Sequence, residues 1–409
     1  MAKMIVMPNG LRIVMEMIPH VKSVAVGLWI KAGVVTEDES NNGISHFIEH
    51  MLFKGTQTRS ARELAESVDG VGGHINAYTS REYTCYYMKV LDENLPLAVD
   101  LLSDMMFNSL FDPNEIEKEK SVIAEEISMY EDSPEDLAHD MLVENMLKHQ
   151  PLGYPILGSL ESISELDRQA IKTYIDRHYR PDNTVLAVAG HFEEEVLLKM
   201  IEASFGQWES ANPETRDAGT RSLSFCHDYR YKDIEQTHLS IGYQGASLGS
   251  NEMYDLLVIN NIVGGSMSSR LFQTIREDRG LVYSIYSYMQ NYTSNGIFSV
   301  YCSMNPSQAS LVRELIDIEL NKLLENGFHT DEFEKARRQL KGSYLLGMES
   351  TSGRMASMGK SELLLGRIQT PDEILLRING LEKSRAEQIM RQYIHPDQKS
   401  MVLVGRTNA

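Results

Sequence analysis

The chain is written twice, and that repeat limits its possible folds more than any other feature. Residues 178–190 read HYRPDNTVLAVAG and residues 392–405 read QYIHPDQKSMVLVG. Each has an aromatic residue, then Pro-Asp, then an apolar run closing on glycine. Upstream, Ile163 and Leu166 match Ile378 and Leu381, an offset of 215 residues. The same offset lays VAVGLW (24–29) on LSIGYQ (239–244), with Gly27 on Gly242. A repeat this long is a duplicated domain, not a solenoid unit. A chain of 409 residues also exceeds what one ordinary core supports. We therefore divide it into a domain at 1–208, a polar, Gly- and Pro-containing linker at 209–222 (ESANPETRDAGTRS), and a second domain at 223–409.

Each half mixes the periods of strand and helix. Pro8-Asn9-Gly10 is a hairpin turn between two short strands. Residues 23–31 are a strand apolar on both faces. Helices are expected at about 43–53 and 60–69. Strands follow at 74–79 and 82–91, several helices between 93 and 180, and a strand at 184–189. Strands grouped in pairs with helices between them predict an α+β class: two duplicated domains, each a mostly antiparallel sheet packed with helices on one side.

Composition removes several functions. No window approaches the ~20 apolar residues of a membrane span. A formal charge of −19 disfavours nucleic acid and anionic membranes and favours cationic partners such as basic peptides. Cys85, Cys226 and Cys302 form neither a metal spacing nor a disulfide framework. The first residues, MAKMIVMPNGLRIV, lack the apolar core of a secretory signal, so a cytoplasmic location is expected.

The chemistry concentrates in ISHFIEHMLFKGT, residues 44–56. On a helix, His46, Glu49 and His50 fall within an arc of about 100°. Imidazoles at i and i+4 hold a divalent metal, zinc most commonly, and the carboxylate between them can take a proton from water on that metal. Without a metal, each of the three would need its own buried partner. A third ligand is required. The segment 112–132, DPNEIEKEKSVIAEEISMYED, is a helix capped by Asp112. Ile116, Glu119, Ile123, Glu126, Ile127 and Tyr130 share one stripe. Phase favours Glu126 over Glu125, which points away, but does not eliminate Glu125.

His46-Phe-Ile-Glu49-His50 is the inverted zincin motif. With the following Met-Leu-Phe-Lys-Gly-Thr it resembles the active-site helix of the pitrilysin/insulysin family of inverzincin metallopeptidases, the mitochondrial-processing-peptidase-like branch above all. The resemblance runs over essentially the whole chain. It implies a glutamate ligand 76 residues after the second histidine, which is Glu126, and a supporting glutamate seven residues earlier, which is Glu119. It implies one Zn²⁺ per chain held by His46, His50 and Glu126, with Glu49 as general base in peptide hydrolysis.

At the repeat offset, His46, Glu49 and His50 fall on Asn261, Gly264 and Gly265, so the second domain cannot bind metal there. The resemblance gives that domain a different role, in which Arg276 and Tyr283, seven residues apart, grip the substrate backbone and help stabilise the transition state. It also implies that Asn76, Ala77 and Tyr78 lie on an edge strand to which an extended peptide adds as a further strand. Relatives of about twice this length enclose a chamber between four such domains. A two-domain chain would complete that chamber as a dimer, and the presence of both motifs favours a homodimer. The expected function is a zinc endopeptidase acting on peptides or unfolded segments. The alternatives are the catalytic subunit of a heterodimeric processing peptidase, a maturation peptidase for one modified peptide, and a non-catalytic scaffold relative. The last would be expected to lack a ligand or the base.

Overall fold

The computed structural model describes residues 2–209 and 222–406. The linker assigned to 209–222 lies almost wholly outside the described residues. The described chain forms two compact units.

The first unit holds a six-stranded sheet built from β1 (Lys3–Val6), β2 (Arg12–Met17), β3 (Ser23–Ile30), β4 (His74–Thr79), β5 (Thr84–Leu91) and β6 (Thr184–Gly190). Their order is β1-β2-β6-β3-β5-β4, and every pairing is antiparallel except β2 with β6. The Pro8-Asn9-Gly10 turn closes the first hairpin, with Gly10 at φ +96°. Strand β3 is buried along nearly all its length, as its two apolar faces predict. Val24, Val26, Leu28 and Ile30 point into one core, which includes Ile44, Phe47, Ile48 and Met51 of α1 (Ile44–Met51). Helices α2 (Ala61–Asp69), α3 (Leu95–Asn108) and most of α4 (Pro113–Asp132) belong to the same unit.

The second unit repeats this plan. Its strands β7 (His227–Arg230), β8 (Thr237–Gly245), β9 (Val282–Asn291), β10 (Gly296–Met304) and β11 (Ser400–Val404) run in the order β7-β11-β8-β10-β9. That is the order β2-β6-β3-β5-β4 of the first sheet. The single parallel pair, β7 with β11, falls at the equivalent place.

One expectation is corrected. The sheets are covered on both faces, not one. In the first unit, Gly27 and Trp29 on the second face of β3 meet the helix Thr351–Leu365. A Cβ on Gly27 would come within 2.6 Å of Met355 Sδ, and Trp29 Nε1 lies 3.4 Å from the same sulfur. In the second unit, α5 (Pro134–Met146) lies on β8 and β11, and a Cβ on Gly242 would collide with Met146. The matched glycines Gly27 and Gly242 thus act alike, since each lets a helix approach the central strand of its sheet. The two helices come from opposite repeats. Compact units therefore cross the division of the sequence: the first contains the described residues of 1–127, 154–217 and 346–370, the second those of 128–153, 218–345 and 371–409. Covering the second face needs a helix remote in sequence, which local periodicity cannot reveal.

Gly359 repeats the close approach from the helix side, since its Cβ would strike the indole of Trp29, itself 1% exposed. A Cβ added to Gly342, in the helix Thr330–Gly347, would meet nothing within 4 Å beyond that helix's own backbone. Alanine gains up to about 1 kcal/mol over glycine inside a helix, whereas overpacking a core costs about 1–3 kcal/mol. Gly342→Ala is therefore expected to raise stability, and Gly359→Ala to lower it by about 1–2 kcal/mol. Equilibrium urea unfolding of the two variants checks both signs.

Candidate metal centre

Helix α1 is only eight residues long, and its apolar residues hold it in the first core. Their spacing leaves His46, Glu49 and His50 on one side. Helix α4 begins at the expected cap, where Asp112 Oδ1 accepts from Asn114 N at 2.8 Å. It buries Ile116, Glu119 and Ile123 and leaves Glu125 exposed. Tyr130, assigned to the buried stripe, is 43% exposed, so the stripe ends before the helix does.

Among the described residues, His46, His50 and Glu126 form the one group of three or more metal-capable side chains, with donor atoms all within 4.8 Å of one another. Glu126 Oε2 lies 3.7 Å from His46 Nε2 and 3.8 Å from His50 Nε2. These separations are too long for hydrogen bonds. They approach the roughly 3.3 Å between two donors that each sit about 2.05 Å from a tetrahedral ion. His50 Nδ1 lies 2.8 Å from Glu119 Oε1. Donating its proton there leaves Nε2 with a free lone pair facing Glu126. Glu119 is 3% exposed, and its other oxygen accepts from Lys54 Nζ at 2.5 Å. His46 Nδ1 is buried without a hydrogen-bond partner, so His46 is held by packing where His50 is held by a carboxylate.

The electrostatics suit a cation. Burial, with His50 nearby, pushes the His46 pKa down to about 3, leaving a neutral imidazole. Burial acts the same way on His50, but the hydrogen bond and charge of Glu119 outweigh it and raise the pKa. For Glu119, burial is outweighed by His50 and Lys54, and the carboxyl stays ionised below its usual range. The carboxylates Glu49, Glu119 and Glu126 against Lys54 leave two formal negative charges, which one divalent ion neutralises. Two imidazoles and a carboxylate are the three protein ligands of a catalytic zinc site, whose fourth position goes to water or substrate. The residues present fit that ion.

Glu49 stands beside the donors without being one of them. Its Oε2 accepts from Thr79 Oγ1 at 2.6 Å. Burial raises its pKa, against the opposing pull of the Thr79 hydrogen bond, which moves the carboxylate toward the range of a working base. Thr79 and Lys54 escape sequence reasoning. Lys54 lies just past the end of α1, where helical phase no longer applies, and Thr79 gives no periodic signal either. Thr79 ends β4, which among the described residues pairs only with β5 and so is an edge strand. On it Asn76 is exposed, Ala77 is buried and Tyr78 is 38% exposed.

In the second unit the helix Asn251–Val263 ends before the positions that match Glu49 and His50. Gly264 and Gly265 instead line a cleft of about 300 Å³ together with Arg276. Arg276 sits on a wide helical turn, Phe272–Glu277, in which Asp278 N reaches back five residues to Gln273 O. Wide turns of this kind are frequent at functional sites. Its guanidinium lies over the Phe272 ring, 4.7 Å from the centroid. Tyr283, on the edge strand β9, is 73% exposed.

Comparison with known proteins agrees with this architecture. The chain is 45% identical over 391 residues to the uncharacterized zinc protease YmxG of Bacillus subtilis, with 95% of each chain covered. It is 37% identical to an uncharacterized zinc protease of Streptomyces coelicolor, over 95% of this chain and 86% of the relative. Its fold matches a peptidase M16 inactive-domain structure from Pseudomonas fluorescens with a TM-score of 0.93 at 17% identity, covering 100% of this chain and 98% of the other. It matches a protease from Helicobacter pylori at 0.92 and 20%, covering 99% of both. Residues 12–160 match the insulinase (peptidase family M16) domain and residues 165–340 the peptidase M16 inactive domain. Taken with an identity of 45% across almost the full length, these matches show that the chain belongs to the insulinase family, peptidase family M16.

Proposed function

We propose that this chain is a zinc-dependent endopeptidase, with His46, His50 and Glu126 holding one Zn²⁺. The observation that carries the reading is the convergence of these three donors beside a carboxylate, Glu49, that is not among them. Zinc bound there supplies a Lewis acid that polarises the scissile carbonyl and brings the pKa of water to about 7. Glu49 takes the proton from the attacking water and passes it to the departing amine. Thr79 holds that carboxylate in place throughout. Glu119 keeps the proton on His50 Nδ1. The edge strand β4, at Asn76, Ala77 and Tyr78, pairs with an extended peptide, which gives affinity with little dependence on sequence. Substrates are therefore peptides or unfolded segments. The −19 charge favours basic ones.

Metal content and hydrolysis of a quenched fluorescent peptide, measured together, test the assignment. Native protein and Glu49→Gln are both expected to carry one zinc, with activity lower by about 10²–10⁴-fold in the variant. Absence of zinc from both would sink the reading.

We infer a processing-peptidase-like arrangement in which two copies of the chain complete one chamber, in the cytoplasm. Support comes from a chain that carries both the metal donors and the Arg276/Tyr283 pair, and from three cysteines that are all free. In that arrangement Arg276 and Tyr283 serve the zinc site of the other copy, where their donors meet charge developing on the substrate carbonyl. Mixing inactive Glu49→Gln chains with Arg276→Ala chains should then restore activity, because each mixed dimer regains one complete site. No recovery after subunit exchange is established by mass spectrometry would refute the trans arrangement. For matched substrates, kcat/KM should be higher for a Lys-rich peptide than for a Glu-rich one, and equal values would rule out charge selection.

A further inference from the structure

Glu37 is a fully buried carboxylate, 0% exposed, and the groups that hydrogen-bond it are neutral. Its contacts are with the start of the metal-binding helix. Oε2 accepts from Gly43 N at 2.8 Å and from Asn42 Nδ2 at 2.9 Å, and Oε1 accepts from Ser45 N at 3.0 Å. Burying a charge this way is costly unless its hydrogen bonds are complete. The sequence explains why the structure tolerates it. The residue in the cap position of α1 is Gly43, in the left-handed region at φ +93°. A side chain there would press on Leu157 O at 2.7 Å and Gly158 Cα at 2.9 Å. Glycine is thus required, and it has no side chain with which to cap the helix. The first N–H groups of a helix need acceptors, and Glu37 supplies them from a distance.

We infer that Glu37 is a positioning residue for the metal centre, fixing the first turn of α1 so that His46 faces His50 and Glu126. This inference rests on the zinc reading above. His46 is the third residue of an eight-residue helix, in the turn that frays first. Its own Nδ1 has no partner, so nothing beyond packing and the backbone holds its ring. A second clamp acts on the same turn: Ser45 Oγ lies 2.7 Å from Tyr174 Oη, which lies 2.7 Å from Thr36 Oγ1, next to Glu37 in sequence. Residue 45 is therefore gripped through its backbone by Glu37 and through its side chain by Tyr174.

Glu37→Gln keeps the shape but turns an NH₂ group toward backbone N–H donors. Hydrogen exchange of the metal-free protein should show the α1 amides exchanging about tenfold faster or more, with the β-strands unchanged. Zinc affinity, by competition with a chelator, should fall about 10–100-fold, the range for partners one step behind a metal ligand. At saturating zinc, kcat should drop at least about fivefold while KM stays within about twofold. If Glu37→Gln does not fold, Tyr174→Phe, which removes only the hydroxyl, should shift zinc affinity and α1 exchange in the same direction. Unchanged α1 exchange and unchanged zinc affinity in a folded variant would overturn the inference. Native protein that binds no zinc would instead overturn the zinc reading, and α1 exchange alone would then decide the positioning role.

Discussion

An eight-residue helix does not hold its own shape in water, yet the metal centre depends on three side chains keeping a fixed phase on α1. Tertiary structure supplies what the helix lacks. Ile44, Phe47, Ile48 and Met51 bury one side of it in the core of the first sheet. Glu37 and Tyr174 hold its first turn. Glu119 and Lys54 hold its last, through His50 and through the segment just after it. The polar residues that looked anomalous in an apolar run are each tied to a partner or turned toward Glu126.

The second repeat shows what duplication preserves and what it releases. Strand order, the single parallel pair and the glycine on the central strand are common to both sheets. Those features set backbone packing, and a sheet with a helix pressed on β3 or β8 has few ways to change them. The metal positions are free of that constraint. In the second unit they fall at Asn261 and just past the end of a helix, at Gly264 and Gly265. Glycines there leave space for a cleft beside Arg276. One copy of the plan gathers three metal-capable donors, and the other lines a cleft that includes Arg276.

Much of this was legible in the sequence, for definite physical reasons. The i, i+3, i+4 spacing puts His46, Glu49 and His50 on one side of a helix, and the phase of a second helix, capped at Asp112, favours Glu126 over Glu125, a choice that the family resemblance completes. The α+β class followed from paired strands between helical stretches, and the repeat from matching strand–glycine patterns. The exchange of α5 and the helix Thr351–Leu365 between the two repeats was not legible, because a helix states which of its faces is apolar but not which sheet it will cover. Glu37 and Thr79 were hidden for a related reason. Each acts on a residue at a sequence distance that no helical or strand period predicts, and each belongs to a type common on surfaces.

Charge explains why the site needs more than its three donors. Gathering Glu49, Glu119 and Glu126 near two imidazoles creates a negative cage, and in the absence of an ion that cage pulls a proton toward His50. Lys54 offsets part of the repulsion from the Glu119 side, where it cannot compete for the donor atoms facing Glu126. The same field that favours a proton on His50 favours a divalent cation more, since attraction scales with charge. A mobile ammonium among the donors would have relieved the repulsion and displaced the metal together. Placing the cation behind Glu119, and satisfying Glu37 with neutral donors, leaves the His46–His50–Glu126 face to an ion.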